Sequence, residues 1–210
     1  MIRYATEFIG TFFLVLTIGL VVVQATALGP IAIGAVLMVM VYMGGHVSGG
    51  HYNPAVSLAA ALAGKLERRE LGPYWAAQIV GAVAGALAAL AIVGGTFAPA
   101  PGLEASPAGF WLAEVLFTFA LCLVVLNSAT HPKTKGNSFF GLAIGFTVGV
   151  GAIAVGPISG AAFNPAVGVG PTLVHAALAG GTLAHVPLYV AAPLLGGALA
   201  AVVFRSQEKA

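Results

Sequence analysis

The chain has 210 residues, of which 60% are hydrophobic and 7% are charged, and its formal net charge is +2. An ordinary soluble domain carries about a quarter charged residues, so this composition excludes a soluble fold. The basic residues are too few and too scattered to form a surface that binds nucleic acid. The single cysteine, Cys122, allows neither an internal disulfide nor a cysteine-based metal site.

Two long stretches of the chain, 8–64 and 136–204, contain no Asp, Glu, Lys or Arg. Each is far longer than the about 20 residues that cross a bilayer as one helix, so each must cross more than once. Apolar length and breaks at Gly and Pro predict six membrane-spanning helices. In chain order they cover residues 4–27, 30–47, 73–93, 108–127, 138–156 and 185–204. Two further apolar segments, 54–63 and 165–175, are too short to cross.

The second half of the chain repeats the first. The segment GHVSGGHYNPAV at 45–56 recurs 111 positions later as GPISGAAFNPAV at 156–167, with seven of twelve residues identical. This tandem duplication predicts a single domain, 1–210, built from repeats at 1–98 and 108–210. The first helix could imitate a cleaved signal sequence, but its length and its counterpart in the second repeat favour a membrane helix.

Charge placement predicts the orientation in the membrane. All eight basic residues fall in segments that six crossings place on one face: Arg3, Lys65, Arg68, Arg69, Lys133, Lys135, Arg205 and Lys209. Cytoplasmic loops collect Lys and Arg, so both termini are expected in the cytoplasm, as in a multi-pass protein of the inner or plasma membrane. Because each repeat crosses three times, the second repeat is inverted, and the two short segments enter from opposite faces.

Each short segment begins with an Asn-Pro-Ala box. The six residues are Asn53, Pro54, Ala55, Asn164, Pro165 and Ala166. Asn caps helix N-termini and Pro is tolerated in the first turn, so each box is expected to open a half-helix. Two N-termini that meet at the bilayer midplane each present about half a positive charge. At ~4 Å and an effective dielectric of about 20, they repel a cation by about 4 kcal/mol, whereas a neutral solute escapes this penalty.

The backbone before each box, at 44–52 and 156–163, is rich in small residues and is expected to be irregular. At membrane depth, irregular backbone is tolerated only where it is buried in protein or lines a water-filled cavity. Carbonyl groups of these loops are therefore predicted to accept hydrogen bonds along a pore, at Gly49, Gly50, His51, Gly160 and Ala162. The Asn amides are expected to donate to a passing oxygen, and a water held in this way cannot relay protons.

These motifs resemble those of the major intrinsic protein family, the aquaporins and glycerol facilitators. The similarity covers essentially the whole chain and includes the paired boxes, Ala77-Gln78 in the third helix and APLLG at 192–196. The resemblance implies an all-α membrane fold of six transmembrane helices and two re-entrant half-helices in an inverted tandem repeat. It also implies a homotetramer in membrane lipid, with one pore per subunit and no cofactor, that passes water or small neutral solutes passively.

The resemblance places an outer selectivity filter at Ile33, Ala152, Ala161 and Val167. Most aquaporins have Arg where this chain has Val167, and glycerol facilitators usually have Asp where it has Gly168. The expected filter is therefore wide and aliphatic. Two alternatives stay open: a channel for water and small uncharged solutes, and a broader facilitator of urea, ammonia, small alcohols or glycerol with little water specificity.

Three further residues are expected to stabilise the loops. The resemblance and the symmetrical positions of Glu7 and Glu114 favour carboxylates that accept backbone hydrogen bonds, with a proton relay as the alternative. His46 is expected to form structural hydrogen bonds, with a pH gate at His46 or His51 as the alternative.

The residues also bear on other functional classes. Inverted repeats and broken helices occur in ion- or proton-coupled transporters too, but coupling normally needs titratable residues in the pathway. This sequence has Asn, Gly, Ala and Val at the corresponding positions. It has no nucleophile with a base and no metal-ligand set, so we predict neither enzymatic activity nor a metal site.

Overall fold

The structure is a computed structural model and describes residues 1–209. Within this range all regular secondary structure is helical. The α-helices are α1 (Ile2–Val23), α2 (Gly29–Ser48), α3 (Pro54–Leu62), α4 (Leu71–Val93), α5 (Pro107–Val125), α6 (Phe140–Ser159), α7 (Pro165–Ala179) and α8 (Val186–Gln207). Short 3₁₀ turns lie at Arg68–Glu70 and Pro132–Thr134, and a π-helical turn at Leu126–Thr130 follows α5.

Six of these helices, α1, α2, α4, α5, α6 and α8, are long and apolar enough to cross a membrane, which confirms the predicted number of crossings. Large apolar side chains on them point away from the bundle. Examples are Ile92, Leu116, Phe146 and Ile153, each more than half exposed. Such an outer surface is suited to lipid tails rather than to water. The remaining helices, α3 and α7, have 9 and 15 residues.

Several predicted helix ends differ from the observed ones. Helix α1 ends at Val23 rather than at 27, because Ala25 has a left-handed backbone with φ of 50°. Helix α7 extends beyond 175 and is ended by Gly180, which has φ of 71°. Helix α6 continues through Pro157 to Ser159, since membrane helices tolerate proline where neighbouring groups satisfy the freed backbone. The irregular backbone is consequently shorter than predicted and covers 49–53 and 160–164.

The two repeats pack in the same way and interlock. Helix α1 packs against α2 and α4, and α5 packs correspondingly against α6 and α8. Helices α2 and α6 contact each other between the repeats. Each half-helix crosses to the other repeat: α3 packs against α8, and α7 packs against α4. The start of each half-helix is therefore positioned by helices from both repeats.

Glycines allow the long helices to approach closely. Where α2 crosses α6, a Cβ added at Gly34 would lie 2.7 Å from the carbonyl oxygen of Gly145. Where α1 crosses α4, a Cβ at Gly81 would lie 2.6 Å from the carbonyl oxygen of Phe8. In membranes, helices associate through such close van der Waals contact because lipid offers little hydrophobic driving force.

We predict that Gly34→Ala destabilises the protein by roughly 1–3 kcal/mol, because the methyl group would overpack a helix crossing whose neighbour is backbone. Gly72→Ala in α4 is the matched control, since a Cβ there meets no heavy atom within 4 Å. Thermal unfolding in detergent measures both variants. Equal transition temperatures for the two would contradict the close α2–α6 packing.

Candidate pore

The two Asn-Pro-Ala boxes cap α3 and α7. The side-chain oxygen of Asn53 accepts a hydrogen bond from the Ala55 amide at 2.8 Å. Asn164 accepts in the same way from the Ala166 amide at 2.9 Å. Both asparagines have extended backbone, and a proline follows each of them in the first turn. This is the geometry of an N-cap, so each asparagine fixes the start of its half-helix.

The same two asparagines join the repeats. The Asn53 amide nitrogen donates to the carbonyl oxygen of Phe163 at 2.8 Å, and the Asn164 amide nitrogen donates to that of Tyr52 at 2.8 Å. An Asn amide has two N–H groups, so each residue keeps one N–H beyond this bond. The two half-helices therefore meet at their N-terminal ends, with the amide donors close together.

Glu7 holds the first loop. It is fully buried and accepts four hydrogen bonds. One carboxylate oxygen accepts from the Ser48 hydroxyl at 2.6 Å and the His51 amide at 3.0 Å. The other accepts from the Tyr52 amide at 2.7 Å and the Gln78 side chain at 2.8 Å. The two amide bonds give loop N–H groups the partners that water cannot supply at membrane depth.

Glu114 holds the second loop with one donor fewer. It is fully buried and accepts from the Ser159 hydroxyl at 2.7 Å, the Ala162 amide at 3.1 Å and the Phe163 amide at 2.7 Å. The position that matches the glutamine of the first repeat is Pro193, whose side chain cannot donate. The two carboxylates thus occupy equivalent places on α1 and α5, and the repeats differ in how each is completed.

Two tyrosines complete the loops. The Tyr74 hydroxyl donates to the carbonyl oxygen of Ser48 at 2.7 Å, and the Tyr189 hydroxyl donates to that of Ser159 at 2.5 Å. They satisfy the last carbonyl groups of α2 and α6 where the chain leaves the helix. Sequence reasoning did not assign this role to the tyrosines or to the serines. Their recurrence at matching positions of the two repeats was the signal that could have found them.

The structure does not bring His46 into this network. Gly44 and Ser48 lie on the buried face of α2, and His46 is two residues from each, which turns it toward the opposite face. Its side chain is exposed and forms no side-chain hydrogen bond within residues 1–209. The loop-stabilising role predicted for His46 is filled instead by Tyr74 and Gln78, which reach the loop from α4.

Two cavities lie at opposite ends of the bundle, and they are called outer and inner after the orientation that the basic residues predict. The outer cavity, about 380 Å³, is bordered by the turn after α1 and by the segment after α4. The inner cavity, about 880 Å³, lies at the other end, beside Arg3, Lys65 and Lys135. No Asp, Glu, Lys or Arg of the described residues lines the outer cavity.

The outer cavity contains most of the predicted site. Its wall includes Ile33, Ala152, Ala161, Val167, Gly50, His51, Gly160, Ala162, Asn53 and Asn164. Gly49 lies instead on the wall of the inner cavity, which His51 also lines. The cavity wall is aliphatic, with the asparagines and the loop backbone as its main polar groups. A solute there meets hydrogen-bonding groups in the middle of an otherwise apolar passage.

Six membrane-spanning helices around two half-helices whose capped N-termini meet on the wall of an uncharged cavity define a channel-type integral membrane protein. The chain belongs to the major intrinsic protein family, whose family model matches residues 2–204.

Individual relatives agree with this family. The chain is 37% identical to Aquaporin NIP1-3 of Oryza sativa subsp. japonica, over 99% of this chain and 75% of that protein. It is 34% identical to Aquaporin TIP2-3 of Arabidopsis thaliana, over 96% of this chain and 85% of that protein. The fold is similar to the X-ray structure of the aquaglyceroporin from Plasmodium falciparum, with a TM-score of 0.88 and 21% identity over 97% of this chain and 95% of that one.

We predict that Glu7→Gln destabilises the protein by about 2–4 kcal/mol, because the new amide group cannot accept the hydrogen bonds of half of its four donors. Glu67→Gln is the matched control, since its carboxylate is exposed and pairs with Arg69 at the surface. Thermal unfolding in detergent gives the stability, and osmotic water flux in vesicles reports the pore. A transition temperature of Glu7→Gln as high as that of Glu67→Gln would refute the role of Glu7.

Proposed function

We propose that this protein is a passive channel for water and small uncharged solutes that excludes ions and protons where the two Asn-Pro-Ala boxes meet. The observation that carries the proposal is the pair of asparagines at the head-to-head starts of α3 and α7, on the wall of an uncharged cavity. The aquaporins and the aquaglyceroporin among its relatives agree with this function.

The mechanism follows from the groups that a solute meets. An uncharged molecule enters the outer cavity, loses part of its hydration against an aliphatic wall, and regains hydrogen bonds at the loop backbone and at the two asparagine amides. A cation has no acidic side chain on that wall to replace its hydration, and it faces two positive helix ends. A water whose oxygen accepts from both Asn53 and Asn164 has its hydrogens turned away from the centre, which interrupts proton transfer along a water chain.

The filter favours a broad set of neutral solutes. Val167 and Ile33 are aliphatic, and the residues that share the wall with them, Ala152 and Ala161, are small. No fixed donor binds a particular solute at this level, so selection there rests on size and on the cost of desolvation. The second candidate is therefore a facilitator of urea, ammonia, small alcohols or glycerol with little specificity for water.

The position of the acids argues against a proton-coupled transporter. Glu7 and Glu114 lie behind the loops, are fully buried and line neither cavity. Each is held by three or more hydrogen bonds that a protonation cycle would have to break. Their positions indicate that the two glutamates support the pore loops and do not take part in a proton path.

The assembly and orientation belong to the same proposal. We infer a homotetramer in membrane lipid, by analogy with the family, with each subunit containing its own pore. The basic residues around the inner cavity support a cytoplasmic inner end, with both termini on that side. Water and small neutral solutes are the partners in transport, and the protein is not an enzyme.

Flux measurements test this function. Vesicles that contain the purified protein are expected to shrink in an impermeant osmolyte, and to reswell in urea or glycerol, faster than protein-free vesicles in stopped-flow light scattering. Val167→Arg is expected to slow solute entry by roughly tenfold or more, since a cation would then occupy the filter and narrow it. Val167→Met is the matched control for added length without charge. Flux equal to that of protein-free vesicles for water and every solute would overturn the proposal.

Proton exclusion is a separate expectation. Vesicles loaded with a pH-sensitive dye and given a pH gradient are expected to acidify no faster with the protein than without it, because the half-helix dipoles oppose cations at the centre. A solute gradient is also expected to move no protons. Proton uptake that depends on the solute gradient would favour a coupled transporter instead.

A further inference from the structure

The outer and inner cavities are separated by a thin partition. His51 and Val125 are the residues within 1–209 that line both cavities. On α3, Val56 lines the outer cavity, and Ala60, one helical turn later, lines the inner one. A helical turn rises by about 5.4 Å, so the partition on this side is no thicker than one turn.

On two other helices, the lining residues also pass from the outer cavity to the inner one at this level. Along α5 and the π-helical turn that follows it, Leu121 lines the outer cavity and Ser128 the inner one, with Val125 between them. On α6, Ile144 lines the outer cavity and Phe140 the inner one. The partition is therefore a single level of the bundle rather than a local irregularity of one helix.

The predicted outer filter does not form this partition. Ile33, Ala152, Ala161 and Val167 line the same cavity that continues past the two asparagines to Val125. The open space therefore passes through the level of the filter and ends on the inner side of the boxes.

The inverted repeat allows the two sides of the boxes to be compared. The position that matches Ala162 in the first repeat, 111 residues earlier, is His51. The position that matches Val167 is Val56, so a valine directly follows each box. The first repeat thus has an imidazole where the second has a methyl group, and this imidazole lines both cavities.

His51 is held in place at the partition. Its Nδ1 lies 3.1 Å from the Ser57 hydroxyl, which also accepts a hydrogen bond from Gln78 at 2.9 Å. The imidazole packs beside Tyr74, with ring centroids 5.4 Å apart, and a Cβ added at Gly49 would lie 2.9 Å from its Nε2. These contacts hold the ring in place, so a solute that displaced it would have to break them.

Val125 is buried among the core side chains of the bundle. It is the last residue of α5, and the following turn, Leu126–Thr130, is π-helical. Ser128 in that turn donates to the Val124 carbonyl at 2.7 Å, and its own carbonyl accepts from the Asn137 side chain at 2.7 Å. Single π-helical turns frequently occur at functional sites, because they change the direction in which the helix presents its side chains.

We propose that an inner constriction formed by Val56, Val125 and His51, rather than the outer filter, sets the largest neutral solute that this channel passes. The inference rests on the proposed channel function and names the residues that determine its size limit. According to this inference, the outer filter admits a broad range of solutes. Solutes that are too large are stopped at the inner constriction, beyond the asparagines.

The test compares the permeabilities of urea, methylurea and 1,3-dimethylurea in vesicles that contain equal amounts of each variant. Size-exclusion chromatography checks that every variant has the same oligomeric state as the wild type. Val125→Ala is expected to raise the ratio of dimethylurea to urea permeability by roughly tenfold, in line with the discrimination that a methyl-sized change gives in an apolar pocket. Val56→Ala is a second variant of the same constriction, used where Val125→Ala does not fold. Val150→Ala, whose side chain is exposed on the outside of α6, is the control for substitution in general.

Ile33→Ala tests the competing explanation, that the outer filter sets the size limit, since this variant enlarges the outer filter by a similar volume. A larger ratio in Ile33→Ala than in Val125→Ala and Val56→Ala would overturn the inference while leaving the channel function standing. Flux in Val125→Ala but none in the wild type would contradict an open wild-type channel and support the partition. Absence of flux in the wild type and in both inner variants would contradict both proposals.

Discussion

Backbone groups at membrane depth find no water to replace a missing hydrogen bond, and the two pore loops depend on how this constraint is met. In the loops at 49–53 and 160–164, only the first amide and the last carbonyl make helical bonds. Glu7 and Glu114, from the first helix of each repeat, accept hydrogen bonds from two further amides of each loop. A buried carboxylate is costly by itself, but several donors satisfy each one here. These two side chains therefore hold the backbone that leads into each half-helix.

The bonds between the repeats extend the same constraint across the molecule. Asn53 and Asn164 each satisfy a carbonyl of the opposite loop, and each half-helix packs on the last helix of the other repeat. Neither repeat therefore completes its own loop. Because each repeat completes the loop of the other, the two positive helix ends lie close enough to act on one solute. Two independent halves would not ensure this.

The helices and the starts of the half-helices could be predicted from the sequence, because they depend on segment length, polarity and repetition. Six apolar segments and two short ones became the observed helices, and the recurring Asn-Pro-Ala boxes marked the starts of α3 and α7. Helix ends were less predictable: Pro157 was expected to follow the end of a helix, but α6 continues through it to Ser159. The donors Tyr74 and Gln78 reach their partners across long stretches of chain, and no local pattern indicates such contacts. His46 was assigned by its closeness in sequence to the loop, whereas the direction of its side chain is set by the turn of α2.

The two levels of the pore show that one residue does not determine a constriction by itself. Val56 and Val167 occupy equivalent positions after equivalent boxes, and both line the outer cavity. Val167 shares the wall of this cavity with Ile33, Ala152 and Ala161, and the cavity continues past them to Val125. On the inner side of the asparagines, the fixed imidazole of His51 and the side chain of Val125 share the space with Val56, and there the outer cavity ends. Since the wall of this cavity lacks charge, size and the loss of hydration are the physical quantities that remain to distinguish one neutral solute from another.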